Sequence, residues 1–190
     1  MSPGGPRLLE PIRFRNLALR NRIMVAPMAM YSANQGFVDD FHLAHLGRFA
    51  LGGAGLVMAE ATAVSPDARI TPGCAGLWLD AHVEPWERIT RMLRRCKAAA
   101  GLQLAQAGRK GSTRRPWHGG LARDRTDQQA RRESSWPVVS ATDAPFDEDF
   151  PLPAALDEQG LDDIVEDYRA AAGRAHAAGF DLLEIHCAHG

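Results

Sequence analysis

Two imidazoles stand three residues apart in the stretch EIHCAHG, at His186 and His189. Histidines at that spacing can contribute ligands to a metal, present two N–H donors to one oxyanion, or merely satisfy local hydrogen bonds. A zinc site needs three or four convergent ligands, and no other His/Cys/Asp cluster with ligand spacing occurs in the sequence. His42 and His45 are also three apart, but they fall in a helical stretch with no partner group nearby in sequence. Spacing alone leaves the three readings open. Chemistry favours the donor pair, because two imidazole N–H groups aimed at one oxygen stabilise the charge that grows when a conjugated carbonyl is reduced.

The elements that must position this pair share one grammar. Segments 50–64, 98–108 and 177–190 each run from an alanine-rich helix end through glycine into a short apolar strand. Glycine supplies the left-handed residue that ends many helices, and the apolar residues after it read as a buried strand. A further strand candidate, NRIMVAPM over 21–28, comes first and ends at Pro27. Between the strands lie helices. Trp86, Ile89, Leu93 and Cys96 form one apolar stripe between Val83 and Lys97; Leu161, Ile164, Val165, Tyr168, Ala171, Ala172 and Ala175 form another over 161–178. Asp157 and Glu158 suit the start of the latter, where the helix dipole favours negative charge. A shorter helix spans Phe41 to Leu51. Strand and helix alternate to give four strands, the pattern of a parallel α/β sheet with helices outside it.

In such folds ligands gather at the carboxyl ends of the strands. The strands here end in APMAMYS, with Pro27 and Tyr31, and then in AEATAV, LQLAQAGRK and EIHCAHG. Alternation puts Glu184 and His186 on one face of the last strand. His189 joins them only if the backbone leaves the extended form near Ala188, which Gly190 eases.

Residues 109–156 break the rhythm with Gly, Pro, Ser and charge, and read as a long excursion after the third strand. Their first part, Arg109 to Trp136, is rich in arginine and carries Trp117 and Trp136. A nucleic-acid face is the weaker reading, since charge runs are mostly solvated surface. A phosphate-bearing substrate or nicotinamide cofactor explains the charge better. The whole chain has 190 residues, 45% hydrophobic and 24% charged with net charge -1, the balance of a globular protein with no global field for nucleic acid or membrane. Cys74, Cys96 and Cys187 are too few and too scattered for a disulfide framework, so a reducing cytoplasm is expected. The arginine-studded N-terminus lacks the apolar core of a signal peptide, and no apolar run is long enough for a membrane span.

Four blocks in order, FRNLALRNRIMVAPMAMYS, GGAGLVMAEATAVSPDARITPG, LQLAQAGRKG and AAGFDLLEIHCAHG, resemble the old yellow enzyme family of flavin-dependent ene-reductases, in particular its bacterial branch. The resemblance implies the N-terminal half of a (β/α)8 barrel, four parallel strands with outer helices, occupying 1–190. It also implies FMN at the strand ends and NAD(P)H as electron donor. In that frame Ala26, Pro27, Met28 and Ala29 lie along the flavin, Ala61 sits beside its ring, and Gln103 bonds its pyrimidine edge. His186 and His189 clamp the carbonyl oxygen of an unsaturated substrate, Tyr31 leans into the same pocket and Lys110 borders it, with no metal. Turnover would be ping-pong, and the complete enzyme a homo-oligomer.

The sequence departs from the family at Ala29, where cysteine is usual in this branch, and at Gln106, where histidine is expected; Gln106 reads as a core polar residue without a role in turnover. Related flavin domains acting on aromatic acyl-CoA thioesters also resemble the chain. A full barrel takes about 250 residues. The later strands, with the family's proton-donating tyrosine and its phosphate site, are absent, so a truncated or interrupted reading of a longer enzyme is expected. Two other classes remain as alternatives: a non-catalytic half-barrel that needs a second chain, and a metal-dependent barrel hydrolase.

Overall fold

The computed structural model describes residues 6–123 and 125–188. Two short antiparallel strands, β1 (Ile12–Phe14) and β2 (Leu17–Leu19), form a hairpin ahead of the main sheet. The sheet itself is built from β3 (Met24–Val25), β4 (Leu56–Ala63), β5 (Ala99–Ala105) and a last strand, Leu182–Ile185, in sequential parallel order. Three helices occupy the crossovers: α1 (Asp40–Leu51), α2 (Val83–Arg95) and, before the last strand, a helix over Glu158–Ala177. Four parallel strands with helices between them are the architecture expected from the alternation.

The 109–156 segment holds more structure than its composition announces. A short helix, α3 (Arg125–Arg131), and a two-residue parallel pair, β6 (Val139–Ser140) with β7 (Ala154–Ala155), lie within it. The long helix is therefore α4 and the last sheet strand β8. Elements this short leave no periodicity to read.

The strands divide their residues between two faces. Val57 and Ala59 of β4, with Ala100, Leu102 and Leu104 of β5, pack in one core with Leu46 and Ala50 of α1, Trp86, Ile89 and Leu93 of α2, and Ala171 and Ala175 of α4. On the opposite face Leu56 and Met58 form a second cluster with Leu19, against which Ile12, Leu17, Ala99 and Leu182 pack. Leu56, Ala99 and Leu182 begin or lie near the start of their strands, so the hairpin plugs the amino end of the inner face. Gly101 permits this packing, since a Cβ there would stand 2.1 Å from Met58 Sδ.

Local chemistry sets the helix ends. Asp39 caps α1, its carboxylate accepting from Phe41 N–H at 3.0 Å, and Asp157 caps α4 through Gly160 N–H at 2.8 Å. The α2 stripe is buried as the spacing requires, and Trp86 additionally donates its indole N–H to Gly76 O at 3.2 Å. The α4 stripe is buried only at Ala171 and Ala175, where small side chains let the helix approach the sheet. Leu161 and Val165 are exposed instead. The first strand is also shorter than 21–28: β3 has one neighbour, β4, and Pro27 brings no N–H to extend the ladder.

Candidate active site

The register of β4 against β5 slips between Ala59 and Ala61. Ala59 pairs with Leu102 and Ala61 with Gln103, leaving Glu60 as the extra residue of a bulge. Bulges re-aim a side chain, and this one turns a carboxylate inward, where it is only 5% exposed. Glu60 Oε2 accepts the Met30 N–H at 3.0 Å, and the Tyr31 N–H also binds this carboxyl. His42 of α1 approaches with Nε2 3.7 Å from Glu60 Oε1, while its Nδ1 lies 2.9 Å from the Asp39 carboxylate. The expectation that His42 has no partner group is thus corrected: Asp39 lies three residues before it, and the bulge delivers Glu60 from an adjacent strand. Burial pushes the Glu60 carboxyl up to about 7, against the two backbone donors that pull it down.

Glu60 holds one side of the segment after β3, the segment containing Ala26, Pro27, Met28, Ala29 and Tyr31. Arg115, from the long excursion, holds the other, donating Nε–H to Tyr31 O at 3.0 Å while its guanidinium also pairs with Glu133. Gly73 closes the clamp. A Cβ at Gly73 would stand 2.0 Å from Tyr31 O, and the Ala33 N–H donates to Gly73 O at 2.9 Å. Tyr31 sits in the left-handed region, φ 51°, its ring edge-on to Trp117 at 6.4 Å between centroids. Burial pushes its phenol pKa up, with Cys74 and Glu60 adding to the effect. Neither Glu60 nor Arg115 was singled out from sequence. An acid inside the apolar run VMAEATA was the one available signal.

The inner face continues across the sheet. The Gln103 side-chain amide donates to Glu184 Oε1 on β8. His186 follows on that face, its own N–H donating to Leu104 O at 2.9 Å and so extending the parallel ladder past β8. Beyond these strand ends lies a cleft of about 200 Å³, lined by Ala61, Ile70, Ala105, Gln106, Ala107, Lys110, His186 and Ala188. Three of the expected site residues, Ala61, Lys110 and His186, therefore meet in one cavity. Gln106 joins them, its Oε1 accepting the Gly108 N–H at 3.0 Å, which corrects its reading as a plain core residue. Ala26 to Ala29, Tyr31 and Gln103 are not among the residues lining this cleft. His189 lies outside the described residues. Lys110 Nζ rests 4.0 Å from the Phe146 ring centroid, so the excursion supplies a wall near the cleft. A larger groove, about 410 Å³, runs between α1 and α2 in the helix layer; it is remote from the strand ends where chemistry collects in this architecture.

The chain matches the model of the NADH:flavin oxidoreductase / NADH oxidase family over residues 7–190. It belongs to that family. It is 38% identical to NADH:flavin oxidoreductase FG08077 of Gibberella zeae over 190 residues, covering 98% of this chain and 45% of the relative. Against an NADPH dehydrogenase of Bacillus subtilis it is 34% identical, covering 97% of this chain and 49% of the relative. Among solved structures, the old yellow enzyme homologue from Zymomonas mobilis superposes with a TM-score of 0.75 at 26% identity, covering 95% of this chain and 48% of that one. The expected kinship with old yellow enzymes holds, as does the α/β barrel-type fold. The chain spans about half the length of the curated relatives it matches. Among the described residues no helix is long and apolar enough to cross a membrane.

Proposed function

We propose that this chain supplies the first four strands of an FMN-dependent NAD(P)H oxidoreductase that reduces the C=C bond of α,β-unsaturated carbonyl compounds. The observation that carries this reading is the meeting of His186, Lys110 and the small wall residues Ala61, Ala105 and Ala107 at the carboxyl ends of β4, β5 and β8. The residues fit a flavin. Methyl-sized walls leave room for a planar ring, and Gln103 presents an amide on the inner face beside Glu184. Ala26, Pro27, Met28, Ala29, Ala61 and Gln103 would hold the cofactor. When bound, FMN supplies the hydride chemistry, drawing on NADH or NADPH and delivering to the β-carbon of the substrate.

The chain's own groups polarise and orient. His186, anchored by its backbone bond to Leu104, presents an imidazole N–H to the substrate carbonyl oxygen, with His189 as the second donor. A donor preorganised toward developing enolate charge lowers the barrier because it need not reorganise during the step. Lys110 adds positive charge at the cleft wall. Tyr31 is held by Glu60, Arg115 and Gly73, and a phenol whose pKa is raised stays protonated and able to donate.

The test follows directly. In a complete enzyme, this chain extended with the C-terminal half of a relative and supplied with FMN and NADPH, a cyclic enone should be reduced, and His186→Ala should lower turnover by roughly 10²–10³, the usual cost of one oxyanion donor, while visible flavin absorbance stays with the protein. Unchanged enone turnover in that variant defeats the assignment.

A further inference from the structure

Near the Arg115–Glu133 pair the excursion packs against the segment that follows β4 and borders a further pocket. It is about 340 Å³ and is lined by Gln35, Arg69, Pro72, Arg123, Arg132, Glu133, Ser134, Ser135 and Trp136. Two guanidiniums lie over one indole there, Arg69 at 4.5 Å and Arg123 at 4.2 Å from the Trp136 ring. Arg123 is 7% exposed. One of its terminal amines donates to Ser134 O, but its Nε–H is buried without an acceptor, as is the Trp136 indole N–H. Arg69 spends its Nε–H on Pro66 O at 2.7 Å.

The nearby carboxylates are committed elsewhere. Glu133 pairs with Arg115, and Asp127 with Arg114 and Arg131. Among the described residues no ion pair reaches Arg69 or Arg123. Burial pushes the Arg123 guanidinium down to about 10, against the attraction of Glu133 and Asp127 and with the repulsion of Arg69 and Arg115, and burial lowers Arg69 as well. A partly buried pair of cations whose nearest carboxylate, Glu133, is already paired with Arg115 is costly unless an anion joins it. Planar guanidinium forks match phosphate geometry, and Ser134, Ser135 and the Trp136 N–H bring further donors to the same wall. The already covered indole argues against an open strand of nucleic acid, which needs a free aromatic face.

We infer that Arg69, Arg123 and Trp136 form a binding site for a phosphate-class anion, apart from the strand-end cleft. The shared chemistry is a phosphate dianion, either free or as the monoester of a nucleotide such as the 2′-phosphate that distinguishes NADPH from NADH.

The test is calorimetric titration of inorganic phosphate into protein freed of unbound FMN, whose own phosphate monoester would compete, at constant ionic strength. Saturable binding at one site per chain is expected. Arg69→Met, which keeps an apolar stem over Trp136, and Arg123→Lys, which keeps charge but loses the fork, should each weaken it by at least about tenfold, the scale of one charge-assisted hydrogen bond. Lys110→Met should leave it unchanged. If Arg123→Lys does not fold, Arg69→Met decides. Displacement of phosphate by 2′,5′-ADP but not by 5′-AMP assigns the nucleotide source; displacement by neither assigns the free ion. Absence of saturable binding overturns the site, as does equal affinity in Arg69→Met. So does loss confined to Lys110→Met, which would move the anion to the strand-end cleft. None of these readings requires turnover, so failure here is distinguishable from failure of the enone assay.

Discussion

Glu60 is the residue on which the geometry of the site turns. It is buried by a one-residue bulge, it binds the backbone of the segment that carries Tyr31, and its carboxyl is pushed up to about 7 by burial. The linkage has a definite sign. In the unfolded chain the group ionises near its ordinary value of 4.5, whereas the folded protein keeps the proton until about pH 7. Stability should therefore fall as pH rises between those values and level off above them, by roughly 3 kcal/mol in the limit of full burial. Glu60→Gln keeps an oxygen for the Met30 N–H but cannot ionise. Its melting temperature relative to the parent should be higher at pH 8 than at pH 5. The same difference at both pH values would show that Glu60 does not titrate in this range. The acid in VMAEATA was visible in the sequence, but its purpose was not, because a bulge is a property of two paired strands rather than of one. Arg115 was hidden for a related reason: its contact with Tyr31 spans 84 residues.

At the scale of elements, legibility followed length and periodicity. The α2 stripe, the apolar runs of β4 and β5, and the strand that enters EIHCAHG were readable because each repeats a pattern over several residues, with glycine ahead of β4 and β8; Gly101 instead lies inside β5, which begins at Ala99, where the sequence suggested a helix end. The β1–β2 hairpin was not readable. Its strands have three residues each and its turn places Arg15, not glycine, at φ 50°. The apolar stripe of α4 was read correctly as a helix face, but its first turns, at Leu161 and Val165, are exposed, since periodicity reports a face and not whether something covers it. The segments joining the elements matter as much to the site. Gly73 is required by close approach to Tyr31, so Gly73→Ala must displace one backbone or the other. A cost of about 1–3 kcal/mol is expected, as for other overpacking changes. Because the Tyr31 segment is the part that yields, binding of an enone to the complete, flavin-loaded enzyme should weaken more than the melting temperature alone suggests. A variant with lowered stability and unaltered enone affinity would place Tyr31 outside the ligand's reach.

At the scale of the molecule, the sheet has two open sides. β3 and β8 each pair with one strand only, and they expose Met24, Leu183 and Ile185. Unpaired edges and uncovered apolar side chains favour association. The relatives that this chain matches are about twice as long, and a closed barrel abolishes its edges. On the proposed reading, the residues that bind FMN from this chain make only part of its site. The 190-residue chain expressed alone should thus lose FMN on gel filtration and scatter light on concentration. A polypeptide extended with the C-terminal half of a relative should keep the flavin, elute as a defined species and melt in one cooperative transition. Introducing Leu183→Lys and Ile185→Lys into the short chain should reduce scattering without restoring FMN, because charge protects an edge but adds no ligand to the cofactor. Tight, stoichiometric FMN retention by the short chain would show instead that these four strands suffice for the flavin.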